Sequence, residues 1–144
     1  MADITVTAAN VGRPHPSTDE VYTMIASVAI TAGQAVYIVA ADCKVALADG
    51  NVAAADQGRG IALAAAAIGE PVPVLIRGFV SGFSVSALNG DVFVYLSDTA
   101  GALADAAGTL EVRMGRIVGG SEIDSSGNVN RMLYIDSRLT TDWA

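Results

Sequence analysis

The chain has 144 residues, of which 52% are hydrophobic and only 16% charged, with a formal net charge of -7 at pH 7. That length favours one domain with a sizeable core, and the charge content lies well below the ~25% usual for soluble domains. The eight basic residues are scattered and only Lys44 is a lysine, so the field that would displace counterions from nucleic acid is missing; no run of 18 apolar residues offers a transmembrane helix.

In chain order, Asp3 to Val11 begins as a strand, with Ile4 and Val6 on one side and Thr5 and Thr7 on the other. Gly12-Arg13-Pro14-His15-Pro16 then breaks every pattern, because each proline fixes φ and biases its predecessor toward extended geometry. Residues 1–19 therefore read as an extended N-terminal arm, mobile in the free subunit and ordered on a partner. Residues 20–144 read as a β-rich domain.

Within that domain, Glu20 to Ile30 is rich in β-branched and aromatic residues and predicts one long strand. Strands follow over 35–39 and 45–47, and Ala-rich 52–57 predicts one helical turn ended by Gly58. Ile61 to Leu63, Val72 to Val80, Ser84 to Ser86 and Val92 to Leu96 read as further strands, with Pro73 marking an edge strand or a strand start. The regions around Leu103, Leu110–Met114 and Arg116–Val118 continue the theme up to a break at Gly119-Gly120. A polar loop from Ser121 to Asn130 leads to a last strand over 131–136 and a tail over 140–144. About ten short strands with turns every 8–12 residues predict a single-domain, all-β sandwich or barrel-like fold. Crossover helices for a parallel architecture are missing.

The chain also says one thing twice. Ala32-Gly33-Gln34-Ala35-Val36-Tyr37-Ile38 runs into Ala46-Leu47-Ala48-Asp49, and Asn89-Gly90-Asp91-Val92-Phe93-Val94-Tyr95-Leu96 runs into Ala102-Leu103-Ala104-Asp105. Gly58-Arg59 and Gly115-Arg116 follow in turn. The pseudo-repeat covers about 30–63 and 88–118, its two copies offset by one residue, which a bulge could absorb. On this reading Val36, Ile38, Val92, Val94 and Leu96 point into one core.

No constellation carries catalytic chemistry. The one histidine, His15, sits between prolines without a nucleophile, and one Cys with one His cannot make a zinc site. Cys43 reads as an inert small residue. Asp42, Asp49, Asp56, Asp91, Asp98 and Asp105 recur near turns but match no calcium loop, and turn capping explains them. No cofactor, metal or membrane partner is expected, and the chain reads as a non-enzyme. Arg59, Arg77, Arg113, Arg116, Arg131 and Arg138 lie mostly in β runs, where each is either an edge charge or half of a salt bridge to a partner subunit. The start, Met1-Ala2-Asp3-Ile4, lacks the basic residues of a signal peptide, so synthesis in a cytoplasm is expected.

Thr31-Ala32-Gly33-Gln34-Ala35-Val36-Tyr37, Arg59-Gly60-Ile61-Ala62-Leu63-Ala64, Ala66 to Val74 and Gly90 to Ala104 together resemble the decoration, or cement, proteins of tailed-bacteriophage capsids. The resemblance spans 30–118. It implies a β-rich subunit, often trimeric, on the outer face of the shell where capsomers meet, with an N-terminal arm on the major capsid protein. The partners it implies are the major capsid protein and further copies of the chain, and the location is the virion. Residues Ile4, Val6, Arg13, His15, Arg77, Arg113 and Arg131 are the candidate capsid or subunit contacts. The Pro-rich 12–16 and the polar 121–130 depart from the family pattern. A head-fibre or adhesin module binding a host-surface ligand is the alternative; it calls for an exposed aromatic cluster, which aromatics scattered through the strands do not supply.

Overall fold

The computed structural model describes residues 2–136. Arg138 and the 140–144 tail lie outside the described residues.

The protein is an all-β, half-barrel-like fold: one curled, antiparallel sheet. Its strands are β1 (Glu20–Ile25), β2 (Ala35–Ile38), β3 (Val45–Leu47), β4 (Gly60–Ala62), β5 (Pro71–Val80), β6 (Phe93–Leu96), β7 (Leu103–Ala104), β8 (Arg113–Ile123) and β9 (Val129–Asp136). The order is β3-β2-β4-β5-β9-β8-β6-β7, with β1 added to β5. Leu75 faces both Val21 and Ile61, and Arg77 faces both Glu20 and Asp136. Strands β4 and β9 therefore succeed one another along one edge of β5, while β1 covers the other.

The two halves of the sheet share a plan. Hairpin β2–β3 takes β4 on the far edge of β2, and hairpin β6–β7 takes β8 on the far edge of β6. The curl brings the outer ends together: the Gly101 N–H donates to the Ala48 carbonyl (2.7 Å), the Gly50 N–H to the Ser97 carbonyl (2.8 Å), and the Ala35 N–H to the Gly101 carbonyl (2.9 Å). Those bonds satisfy backbone that an open sheet would leave exposed.

The apolar side chains form two cores. The larger fills the curl and holds Ile4, Ala35, Ile61, Leu75, Val94, Leu96, Met114, Leu133 and Ile135, among others. The smaller lies on the other face of β2–β5, where Ala26, Ile30 and Ala66 cover Val36, Val45, Val72 and Val74. Val36 and Val94 thus serve different cores, Val92 is only half-buried, and Ile38 is 41% exposed. The single core expected for these residues is corrected accordingly. Consecutive strand residues face opposite ways, so the one-residue offset between the repeats turns one copy's inward set outward.

Several predicted elements shift. The long strand expected over 20–30 stops at Ile25; the chain then turns so that Ala26 bridges Val45 and Ile30 bridges Ala66. No strand forms over 84–86. Strand β8 runs through Gly119-Gly120, although its register on β9 shifts between Gly119 and Ile123, and the expected 121–130 loop is the outer end of a long hairpin whose turn is 124–128. Gly120 suits its place because a side chain there would collide with Asn130 on the facing strand. The helical turn expected over 52–57 is a 3-10 turn, Ala53–Ala55.

The N-terminal segment is not a free arm in this fold. The Ile4 N–H donates to the Leu103 carbonyl, the Thr7 N–H to the Gly82 carbonyl, and the Ser84 N–H to the Thr5 carbonyl, so residues 2–7 join the strands on either side of the opening. Val6 lies where a Cβ on Gly33 would need to be, and Asp19 lies where one on Gly78 would be. Gly82, at φ +96°, lets the chain leave β5 directly beneath Asn10 and Val11. The prolines suppress regular strand pairing, as expected, yet isolated bridges and glycine notches dock the segment all the same.

Candidate functional surface

The acidic residues that recur along the sequence are mostly occupied by backbone. Asp42 accepts the Lys44 N–H (3.1 Å), Asp49 the Asn51 N–H (2.9 Å), Asp105 the Ala2 N–H (2.9 Å), and Asp98 both the N–H (2.8 Å) and the hydroxyl (2.7 Å) of Thr109. Asp124 accepts the N–H groups of Ser126 and Asn128, both at 2.9 Å, and so closes the β8–β9 turn. Those bonds, Asn128 first and Ser126 second, hold the Asp124 carboxyl below its ordinary pKa. Asp91 pairs with Arg116 (3.0 Å). Asp56 is buried. Among the described residues, no three His, Cys, Asp or Glu side chains gather as a metal would require. No helix there is long and apolar enough to cross a membrane.

Of the candidate contact residues, Ile4 is a core side chain, 8% exposed. Val6 is half-buried against Gly33 and bridges Phe83. Arg13 and His15 are exposed, and the His15 ring meets Phe79 edge-on, with centroids 5.1 Å apart. Arg77 is half-buried on β5. Arg113 finds its carboxylate within the chain, Glu111 at 3.0 Å. Arg131 is exposed on β9, beside Asn130, Met132 and Phe83 in a shallow groove.

The cross-strand register gathers residues that are far apart in the sequence. Phe79 faces Tyr134, Tyr134 faces Arg116, Arg116 faces Phe93, and Tyr95 faces Arg113. Paired residues share a face of the sheet. The outward face of β5, β9, β8 and β6 therefore carries a continuous row. His15, Phe79 and Tyr134 meet edge to face, as do Phe93 and Tyr95. Two guanidiniums lie over the Phe93 ring, Arg113 at 4.5 Å and Arg116 at 5.0 Å. Rings and guanidiniums hold one another in place, so the row is pre-ordered. Sequence reasoning missed this row. Its signal was the i, i+2 spacing of Arg77 with Phe79, Phe93 with Tyr95 and Met132 with Tyr134, which becomes a row only once the strand order is known.

Two further features lie at the periphery. β1 pairs with β5 alone, leaving its outer edge unpaired among the described residues, with Tyr22 and Ile25 exposed. The β8–β9 hairpin extends past the sheet, and residues 121–131 are all exposed, with Ile123 and Val129 paired across the strands.

Comparison with known protein families, with curated proteins and with solved structures returns no match.

Proposed function

We propose that this chain is a structural decoration protein that binds the outer surface of a phage head and ties neighbouring capsomers together. The observation that carries the reading is the use made of polar side chains. Asp42, Asp49 and Asp124 cap backbone turns, Asp98 and Asp105 tie down the distant N–H groups of Thr109 and Ala2, and Arg113 and Arg116 brace a surface ring. Such a chain offers a stiff shape and an ordered surface. The repeat-bearing segments that resemble cement proteins lie within the same scaffold.

On this reading the partners are the major capsid protein and further copies of the chain, three around each site, in the virion after synthesis in the host cytoplasm. The mechanism is mass action. A subunit that binds only the assembled lattice stabilises it by RT ln(1 + [L]/Kd), roughly 3–4 kcal/mol per site at 100–1,000 times Kd. Many sites per shell then oppose the outward pressure of packaged DNA. The net charge of -7 favours the solubility of subunits not yet on the shell.

The test is co-sedimentation of the purified protein with undecorated heads, followed by heating. Saturable attachment and a higher temperature of DNA release support the reading; no attachment at any concentration contradicts it.

The aromatic row favours the second reading, a head-fibre or adhesin module, because it supplies the cluster that module calls for. Its rings, however, interlock edge to face and Phe93 lies under two arginines, so the row offers no open stacking platform. Binding to host-surface glycans, abolished by Tyr134→Ala, would decide for this second reading.

A further inference from the structure

A lone two-stranded ribbon is at best marginally stable in water, and an unpaired strand edge is a template for another strand. This chain carries one of each. Beyond Leu133, the outer part of β9, Val129 to Met132, has β8 on one side only among the described residues. Strand β5, which flanks β9 from Leu133 to Asp136, turns away after Val80, where Ser81 bridges Gly12 instead. A gap follows: a groove between Asn130, Arg131 and Met132 on β9 and Phe83, Val85 and Ser86 on the departing segment, with Pro14 also lining it.

The other feature is β1. From Val21 to Ile25 it carries no charge and no proline, devices that blunt exposed edges, and its register on β5 shifts only at its start, between Glu20 and Val21. Tyr22 is 55% exposed and Ile25 41%. The one charge of β1, Glu20, stands at its start, where its carboxylate accepts the Tyr22 hydroxyl at 3.2 Å. The Arg131 guanidinium, in the groove, makes no hydrogen bond or ion pair to the described residues.

We infer that β1 of one copy adds to the free edge of β9 in a second copy. The groove is the right kind of site: backbone groups of Val129 to Met132 for the ladder, apolar walls from Phe83, Val85 and Met132 for Tyr22 or Ile25, and the Arg131 guanidinium for the Glu20 carboxylate. The incoming strand continues the line that β5 abandons and gives the ribbon its third strand. The two edges belong to different patches, so the contact is head-to-tail and leaves one free β1 and one free groove on every pair, to be closed in a ring. The contact needs only the chain itself and holds whether or not the assembly sits on a shell.

Sedimentation velocity over a concentration series, up to the solubility limit, tests it. The unmodified chain is expected to self-associate. Glu20→Arg and Arg131→Glu are each expected to weaken association about tenfold by placing like charges together, and the double variant to recover it. Unchanged thermal melts of these surface variants exclude misfolding as the cause. In a Cys43→Ser background, chains carrying Glu20→Cys mixed with chains carrying Arg131→Cys are expected to form mixed disulfide dimers in excess of either like pair. A chain that stays monomeric throughout and forms no mixed disulfide overturns the inference. So does preferential linkage between two chains that both carry Glu20→Cys, the mark of a two-fold β1–β1 dimer.

Discussion

Val36 and Val94 occupy the same place in two copies of one motif and point to opposite faces of the sheet. Ala35, next to Val36, shares the large core with Val94, while Val36 itself lies in the small one. Each valine also stands across from a glycine, Gly60 or Gly115, where any side chain would collide with the carbonyl oxygen of Leu75 or Tyr134.

This arrangement fixes how substitutions along the two strands behave. Val94→Asp and Val36→Asp each bury an unpaired carboxylate and are expected to cost about 4 kcal/mol or more, enough to unfold many domains. Ile38→Asp, on an exposed position, is expected to stay within about 0.5 kcal/mol of the unmodified chain. Denaturant melts of the three variants are the check. An Ile38→Asp chain as unstable as Val94→Asp would restore the single shared core that the repeat alone suggests.

The N-terminal segment gives a second expectation. Since Ile4 is buried in the main core and residues 2–7 bridge the opening of the curl, Ile4→Ala is expected to lower stability by about 2–3 kcal/mol. Deleting residues 2–19 is expected to destabilise the body as well as any docking. Thermal denaturation of both variants measures this; a truncated chain with an unchanged melting temperature would return the segment to the status of a detachable arm.

What was legible in the sequence was the class of fold and most strand centres, because alternating apolar runs and glycine turns are local signals. Hydrogen-bonding partners were not legible. Gly119-Gly120 looks like a break, but it lies within β8, where the register on β9 shifts and a side chain at Gly120 would collide with Asn130 on the facing strand. Pro14 and Pro16 suggest a loose arm, and the segment around them is held by bridges to Phe83, Ser81 and Ala104, up to about a hundred residues away. The aromatic row needed the β5-β9-β8-β6 order before Phe79, Tyr134 and Phe93 could be placed together. Turn-capping aspartates at 42 and 49 were readable, since Asp in a turn-rich, polar stretch is a local pattern, whereas Asp98 bonds Thr109 eleven residues on.

The β8–β9 turn is expected to respond to acid. The Asp124 carboxyl is held below its ordinary value by the N–H groups of Asn128 and then Ser126. A group whose folded pKa is depressed contributes stability above its unfolded pKa and loses it as pH falls through the folded one. The turn should therefore be fully formed at neutral pH and should lose this contribution as pH falls from the ordinary carboxylate range to below it. Amide exchange or chemical shifts of Ser126 and Asn128 across an acid titration report it. In Asp124→Asn those amides should no longer titrate. An acid response retained in that variant would assign it to another group.

The central claim, that the chain is a clamp between capsomers, is tested most directly by a reconstruction of the decorated particle. The account predicts density for this β-rich body at three-fold and quasi-three-fold positions on the outer surface, three copies to a site, touching more than one capsomer. Isolated monomers at capsomer centres, dimers on two-fold axes, or a shell with no such density would contradict it.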